Sequence, residues 1–259
     1  FSFNCIKKVI IMERWNGKVA VVTGVSSGIG AAIAKSLVEV ELKVVGLAPR
    51  KEKIEELAKT VSNSNGELYA LKTDITKEKE ILKAFQWIKD NMGPVHILIN
   101  NAGIVRLSDF VGGNVEHWRE ILDTNVLGLC IATNEAVKDM KENNVDGHIV
   151  HINSTVSYNI PNYSQINVYV ASKFAVTALT KTLRQELKSS GSRIKISVSN
   201  CTVVNEREGS EAILHRKQSM ANFPSLKGKD IAEGILYILA TPPHVEICKL
   251  LIKPVGEPF

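Results

Sequence analysis

Lys18-Val-Ala-Val-Val-Thr23 runs directly into Gly24-Val-Ser-Ser-Gly28-Ile-Gly30, which opens Ala31-Ala-Ile-Ala-Lys-Ser-Leu-Val38. The first piece is a short β-branched apolar run and the last a stretch of helix formers, so the reading is strand, glycine turn, helix. Gly24 permits the tight turn, Gly28 lets backbone approach a pyrophosphate, and Gly30 lets helix pack on strand. Free N–H groups and the positive dipole end of the helix then attract phosphates. A glycine triad alone also describes a plain turn. Between a strand and a helix it points to a nucleotide.

Outward from this unit the pattern repeats. Short apolar runs at 19–23, 43–47, 67–72, 95–100, 147–153, 193–199 and 247–252 alternate with helical periodicity at 28–40, 51–62, 77–91, 115–142, 168–189 and 229–240. Gly66, Gly93, Gly147 and Gly191 fall in turns just before strands. Regular alternation without repeats or linkers predicts a single-domain Rossmann-type α/β fold, a doubly wound parallel sheet of about seven strands with helices on both faces. Such sheets bind ligands at the carboxyl ends of their strands. The chemistry-bearing residues gather there: the glycine turn after the first strand, Arg50 after the second, Asp74 after the third, Asn101 after the fourth and Ser154 after the fifth.

The second strand ends in Ala48-Pro49-Arg50 with no acid before Glu52. An Asp or Glu there accepts from the adenosine ribose and selects NAD, whereas a base suits a 2′-phosphate, so NADP is expected. Arg50 also fits a solvated charge at a helix start. Of the tyrosines only Tyr169 has a lysine four residues on, in Tyr169-Val-Ala-Ser-Lys173. Helix positions i and i+4 share a face, and a cation beside a phenol favours the phenolate. A tyrosine so tuned can pass a proton between alcohol and carbonyl. Alone, the spacing equally describes a packed ring and a solvated cation.

From about Trp15 to the C-terminus the chain resembles the short-chain dehydrogenase/reductase family. The resemblance rests on Thr23-Gly-Val-Ser-Ser-Gly-Ile-Gly30, on Asn100-Asn-Ala-Gly103 after Val95–Ile99, and on Asp74 in Leu71-Lys-Thr-Asp-Ile75. It rests further on Asn125 in Leu122-Asp-Thr-Asn-Val-Leu-Gly128, Ser154 in Gly147-His-Ile-Val-His-Ile-Asn-Ser154, and Tyr169 with Lys173. It implies a catalytic tetrad of Asn125, Ser154, Tyr169 and Lys173. It implies cofactor contacts from Gly24, Ser26, Ser27, Gly28, Ile29 and Gly30, from Arg50, Asp74 and Ile75, from Asn101, Ala102 and Gly103, and from Tyr169 and Lys173.

In that scheme Ser154 hydrogen-bonds the substrate oxygen and Tyr169 exchanges its proton. Lys173 holds the nicotinamide ribose, and Asn125 supports a water relaying protons to Lys173. Helices 115–142 and 168–189 would pair copies into a homodimer or homotetramer. Met12-Glu-Arg-Trp-Asn-Gly-Lys-Val-Ala-Val-Val-Thr23, and Thr241-Pro-Pro-His-Val245 leading into Leu251-Ile-Lys-Pro254, look like the insect farnesol dehydrogenase and vertebrate 17β-hydroxysteroid dehydrogenase-like branch.

The expected activity is therefore NADP-dependent interconversion of a lipophilic alcohol, such as farnesol or a steroid, and its aldehyde or ketone. Three departures bear on it. Asn200-Cys201-Thr202 stands where the family has Pro-Gly after the sixth strand, Asn205 and Glu206 stand where a threonine follows, and Pro49 occupies the usual arginine position. They motivate a rival reading, an NADP-binding sensor or scaffold of the same fold with impaired catalysis. Val156, Tyr158, Ile160 and Tyr163 are candidate pocket residues or loop anchors. Residues 203–226, charged at first and apolar later, read as a lid or as a plain surface helix.

At 259 residues with 44% hydrophobic content the chain suits a buried parallel sheet. Net charge is +5, with lysines and glutamates interleaved as in Lys51-Glu-Lys-Ile-Glu-Glu56, a solvated helix face rather than a nucleic-acid stripe. Cys5, Cys130, Cys201 and Cys248 are scattered, as reduced thiols of a cytoplasmic protein would be. His148 and His151 point to opposite faces of one strand, which argues against a metal site. No run approaches 18 apolar residues, so no membrane-spanning helix is expected. Met12 reads as a start, with 1–11 a disordered or artefactual extension ahead of one domain at 12–259.

Overall fold

The computed structural model describes residues 12–162, 165–202 and 224–256. Seven strands form one parallel sheet: β1 Val19–Thr23, β2 Lys43–Ala48, β3 Glu67–Lys72, β4 Val95–Asn100, β5 His148–Ser154, β6 Lys195–Cys201 and β7 Lys249–Ile252. Their order is β3-β2-β1-β4-β5-β6-β7, so the winding reverses between β1 and β4. A crevice opens at such a reversal, outside the strand ends.

The helices are α1 Gly28–Glu39, α2 Lys51–Thr60, α3 Glu78–Asn91, α4 Val115–Leu122, α5 Gly128–Glu142, α6 Asn167–Ser189 and α7 Gly228–Leu239. Both sheet faces are covered, which is why β1 is buried along its whole length. Ala20 and Val22 enter one core with Ile33 and Leu37 of α1 and Ile235 of α7. Val19 and Val21 enter the other with Ile81 and Phe85 of α3 and Ala136 of α5. Alternate residues of a strand face opposite ways, so one run serves two cores. Truncating a fully buried Ile or Leu here to Ala would cost about 2–5 kcal/mol.

Most element boundaries fall within two residues of the sequence reading. Two differences matter for the site. β6 continues to Cys201, two residues beyond its expected end, so Asn153 pairs with Asn200 and Ser154 with Cys201 across β5 and β6. The expected helix 115–142 is broken into α4, a π turn at Asp123–Leu127 and α5. Gly128 N donates to Asp123 O, the wide i→i+5 ring of a π turn. A Cβ on Gly128 would stand 2.5 Å from Ile75 O, so the glycine lets this turn close on the loop that leaves β3. The expected extension 1–11 and most of the expected lid lie outside the described residues, as does Tyr163.

Candidate active site

The glycine turn is held by its neighbours at the reversal point. Gly24 has φ +73° and Gly28 φ +59°, left-handed values that glycine reaches without a Cβ penalty. A Cβ on Gly24 would sit 2.9 Å from Ala102 Cα, and one on Gly30 would collide with Gly24 O and Asn101 Nδ2. Gly30 thus makes room for the turn itself as well as for helix packing. The Asn101 side chain donates to Thr23 O at 2.9 Å and Gly24 O at 3.1 Å. Thr23 Oγ1 accepts from Asn101 N and Ala102 N, both at 3.0 Å. The Asn101 amide therefore braces the turn, a use the motif did not announce. Thr23 was quoted within the motif without a role; its place at the tip of β1, beside β4, was the available signal.

Gly24, Ser26, Ser27 and Gly28 line a cleft of about 340 Å³. Ile29, Arg50, Asp74, Ile75, Asn101, Ala102 and Gly103 border it too, so of the expected cofactor residues outside α6 only Gly30, which packs beneath the turn, is absent from its lining. Its chemistry fits a phosphate-bearing dinucleotide. Ser27 is the N-cap of α1 with extended φ −169°, yet its side chain makes no capping bond, and the first turn carries no acid. Helix-start donors thus remain for an anion. Thr73, 2% exposed, lines the same cleft with a hydroxyl lacking any hydrogen-bond partner. Arg50 Nη2 donates to Ser26 Oγ at 3.2 Å, laying the guanidinium beside the glycine turn from one position past Pro49. Asp74 Oδ1 accepts from Thr76 N and Thr76 Oγ1 at 2.9 and 2.8 Å.

Tyr169 and Lys173 lie one turn apart on α6, with Lys173 Nζ 5.8 Å from the Tyr169 ring centroid. Lys173 is 8% exposed and donates to Ile152 O at 3.3 Å. A Cβ on Gly103 would stand 3.8 Å from Lys173 Nζ and 3.4 Å from Asn125 Oδ1, so Lys173 and Asn125 meet the cleft at its Gly103 rim. Asn125 sits in the π turn, where Oδ1 accepts from Ile104 N at 2.8 Å and Nδ2 donates to Ile104 O at 2.9 Å and Ser172 Oγ at 3.0 Å. Ser154 caps the short 3₁₀ turn Thr155–Ser157, accepting from Val156 N at 3.4 Å through a lone pair and not its O–H.

The strand end behind Ser154 is polar. Ser157 Oγ donates to Asn200 Oδ1 at 3.0 Å, and Cys201 Sγ donates to Asn153 O at 3.5 Å. Asn153 Nδ2 donates to Lys173 O at 3.2 Å and Thr177 Oγ1 at 3.0 Å. The side chains of Asn200 and Cys201, at the stretch that lacks Pro-Gly, are thus built into the support of the serine turn. His151 bonds Thr180 Oγ1 at 2.9 Å and Thr133 Oγ1 at 3.3 Å, while His148 meets Ser197 on the other face. Burial, then the charges of Lys173 and Arg184, hold the His151 pKa at about 3, so this imidazole stays neutral.

The model of the family described as short chain dehydrogenase matches residues 18–213. Farnesol dehydrogenase of Aedes aegypti is 47% identical over 250 residues, 96% of this chain and 100% of that one. Dehydrogenase/reductase SDR family member 11 of Gallus gallus is 41% identical over 255 residues, 95% of this chain and 99% of that one. An alcohol dehydrogenase from the archaeon Thermococcus sibiricus, solved with 5-hydroxy-NADP, shares the fold at 22% identity and a TM-score of 0.81, covering 93% of this chain and 98% of that one.

Proposed function

This chain belongs to the short-chain dehydrogenase/reductase family, and on that premise we propose that it interconverts a lipophilic alcohol and its aldehyde or ketone with NADP. As a family member it is an oxidoreductase acting on a CH–OH group with a nicotinamide cofactor. The observation that carries the finer reading is Lys173, one helical turn from Tyr169 and 5.8 Å from its ring, with its ammonium beside Gly103 at the rim of the nucleotide cleft. In this reading the glycine turn and the start of α1 hold the pyrophosphate, Asp74 and Ile75 the adenine, and Arg50 with Ser26 the 2′-phosphate.

When bound, the nicotinamide takes up or returns the hydride, which is the cofactor's own chemistry. The chain's residues manage the proton. Ser154 donates a hydrogen bond to the substrate oxygen. Tyr169 removes the hydroxyl proton as the C–H bond breaks and C=O forms, and returns it in the reverse direction. Lys173 binds the ribose. The Asn125 side chain is committed to Ile104 and Ser172, so its part in supplying protons to Lys173 runs through its backbone or the geometry it holds.

The relative named farnesol dehydrogenase supports a terpenoid alcohol, with a steroid as the other lipophilic choice. Tyr158 and Ile160 next to the serine turn expose apolar surface suited to either. The proposal includes assembly as a homodimer or homotetramer through α4–α5 and α6, supported by the exposed apolar side chains of Leu122, Leu127 and Phe174.

The test is to incubate the protein with NADP and a panel containing farnesol, steroid alcohols and short alcohols, following reduced-cofactor absorbance. Tyr169→Phe is expected to lower kcat on the order of 10²–10⁴-fold while NADP still binds. Near-normal activity in that variant removes Tyr169 from the role. Tight NADP binding without turnover of any alcohol favours the sensor or scaffold reading, which the missing Pro-Gly at Asn200-Cys201-Thr202 motivates.

A further inference from the structure

Helix α6 carries the proposed acid–base pair in its opening turns, where helices fray most readily. Its N-cap position is Ile166, which offers no side-chain acceptor, and no capping bond is made. Tyr169 is only the third residue of the helix. Within the turn Asn167 Oδ1 accepts from Val168 N at 2.6 Å, and further ties come from outside it. Asn167 Nδ2 supplies one tie, to Ser108 O at 3.0 Å. The other lies deeper. Ser172 is fully buried, donates to Tyr169 O at 2.7 Å, and accepts from Asn125 Nδ2 at 3.0 Å.

We infer that Ser172 is a positioning residue for Tyr169 and Lys173, keying the start of α6 to Asn125 and, through it, to the Gly103–Ile104 segment at the cleft. The hydrogen-bond inventory supports this. A serine hydroxyl has one proton, spent on Tyr169 O, and lone pairs, one of which receives Asn125 Nδ2. The Asn125 amide has two protons, spent on Ile104 O and Ser172 Oγ, and its oxygen receives Ile104 N. Three segments distant in sequence are thus tied through the Asn125 amide and the Ser172 hydroxyl: the loop after β4, the π turn and the first turns of α6. Each bond is 3.0 Å or shorter. The π turn fits the same purpose, since its extra width places Asn125 within reach of Ile104 on one side and Ser172 on the other. Ser172 touches neither cofactor nor substrate in this scheme and acts by fixing where the phenol and ammonium stand.

The inference rests on the acid–base reading of Tyr169, and its test keeps the two apart. Ser172→Ala, Ser172→Thr, Asn125→Ala and the double Asn125→Ala/Ser172→Ala variant are assayed with NADP and farnesol, or with the panel alcohol turned over fastest. Ser172→Ala is expected to lower kcat on the order of 10–100-fold, because a loosened turn misplaces the reacting groups. The KM for NADP should stay within about twofold, a split that general destabilisation would not produce. Ser172→Thr keeps the i→i−3 hydroxyl bond that threonine makes readily in helices, and should recover most of kcat. In the Asn125→Ala background Ser172→Ala should cost little more, since the two act through one bond.

Wild-type kcat in Ser172→Ala overturns the inference, as does a loss fully additive with Asn125→Ala or one confined to KM. Ser172→Cys, close in size but a weak hydrogen-bonding group, carries the same expectations if the alanine variant does not fold. Tyr169→Phe in the same assay separates the levels. If it stays active, or if no alcohol is turned over by the unmodified protein, the acid–base reading fails and the positioning role fails with it. If it is inactive while Ser172→Ala is normal, the positioning role alone is lost.

Discussion

Arg50 stands at the N-cap of α2 without capping it, exposed, with its guanidinium on Ser26 Oγ at 3.2 Å. A guanidinium held beside a phosphate cleft suits a 2′-phosphate, and a charge-assisted contact contributes about 1.5–3 kcal/mol. Arg50→Ala is therefore expected to raise the KM for NADP about 10–100-fold while changing that for NAD by less than about threefold. Steady-state assays with both cofactors check it, and equal effects on the two would remove Arg50 from phosphate recognition. Residue placement was legible in sequence where a motif names it: Gly24 and Asn101 line the cleft, and Lys173 reaches its Gly103 rim. Partnership was not. That Asn101 spends its amide on the glycine turn, or that Ser172 meets Asn125, depends on contacts between residues 77 and 47 positions apart. No local pattern encodes those.

The alternation of strands and helices was readable because each β-run is short and apolar and each helix keeps one apolar stripe. β6 was misjudged at its end because Asn200 and Cys201 are not strand formers by composition; they pair because Asn153 and Ser154 of β5 lie alongside. The break at Asp123–Leu127 was hidden because a single π turn is defined by a backbone bond, Gly128 N to Asp123 O, that no side-chain pattern announces. At this scale the helices also bear on assembly. Leu122 precedes the π turn and Leu127 ends it, 43% and 52% exposed, and Phe174 of α6 is 39% exposed, apolar surface that pairing of copies would cover. Light scattering is expected to give the mass of two or four copies, and Leu127→Glu to shift it toward one. A single-copy mass for the unmodified protein would remove these helices as an interface.

The sheet as a whole carries an acid sensitivity. Burial first, then the charges of Lys195 and Arg14, hold the His148 pKa at about 3, and burial with Lys173 and Arg184 does the same for His151, both down from 6.5. Between those values the unfolded chain binds protons that the native protein refuses. Stability is therefore complete above pH 6.5 and falls as pH drops toward 3, by up to about 1.4 kcal/mol per pH unit for each histidine. Urea melts at pH 7.5 and pH 5 check this: the midpoint should be clearly lower at the acid pH, and equal midpoints would refute it. The bond from Lys173 Nζ to Ile152 O has a further consequence. The ammonium sits on the main chain of an interior strand flanked on both sides by paired neighbours, so its location is inherited from the stiffest part of the molecule. A change that lets the surface loops breathe would leave that cation where it is, whereas a slip of β5 by a fraction of an ångström would carry it along.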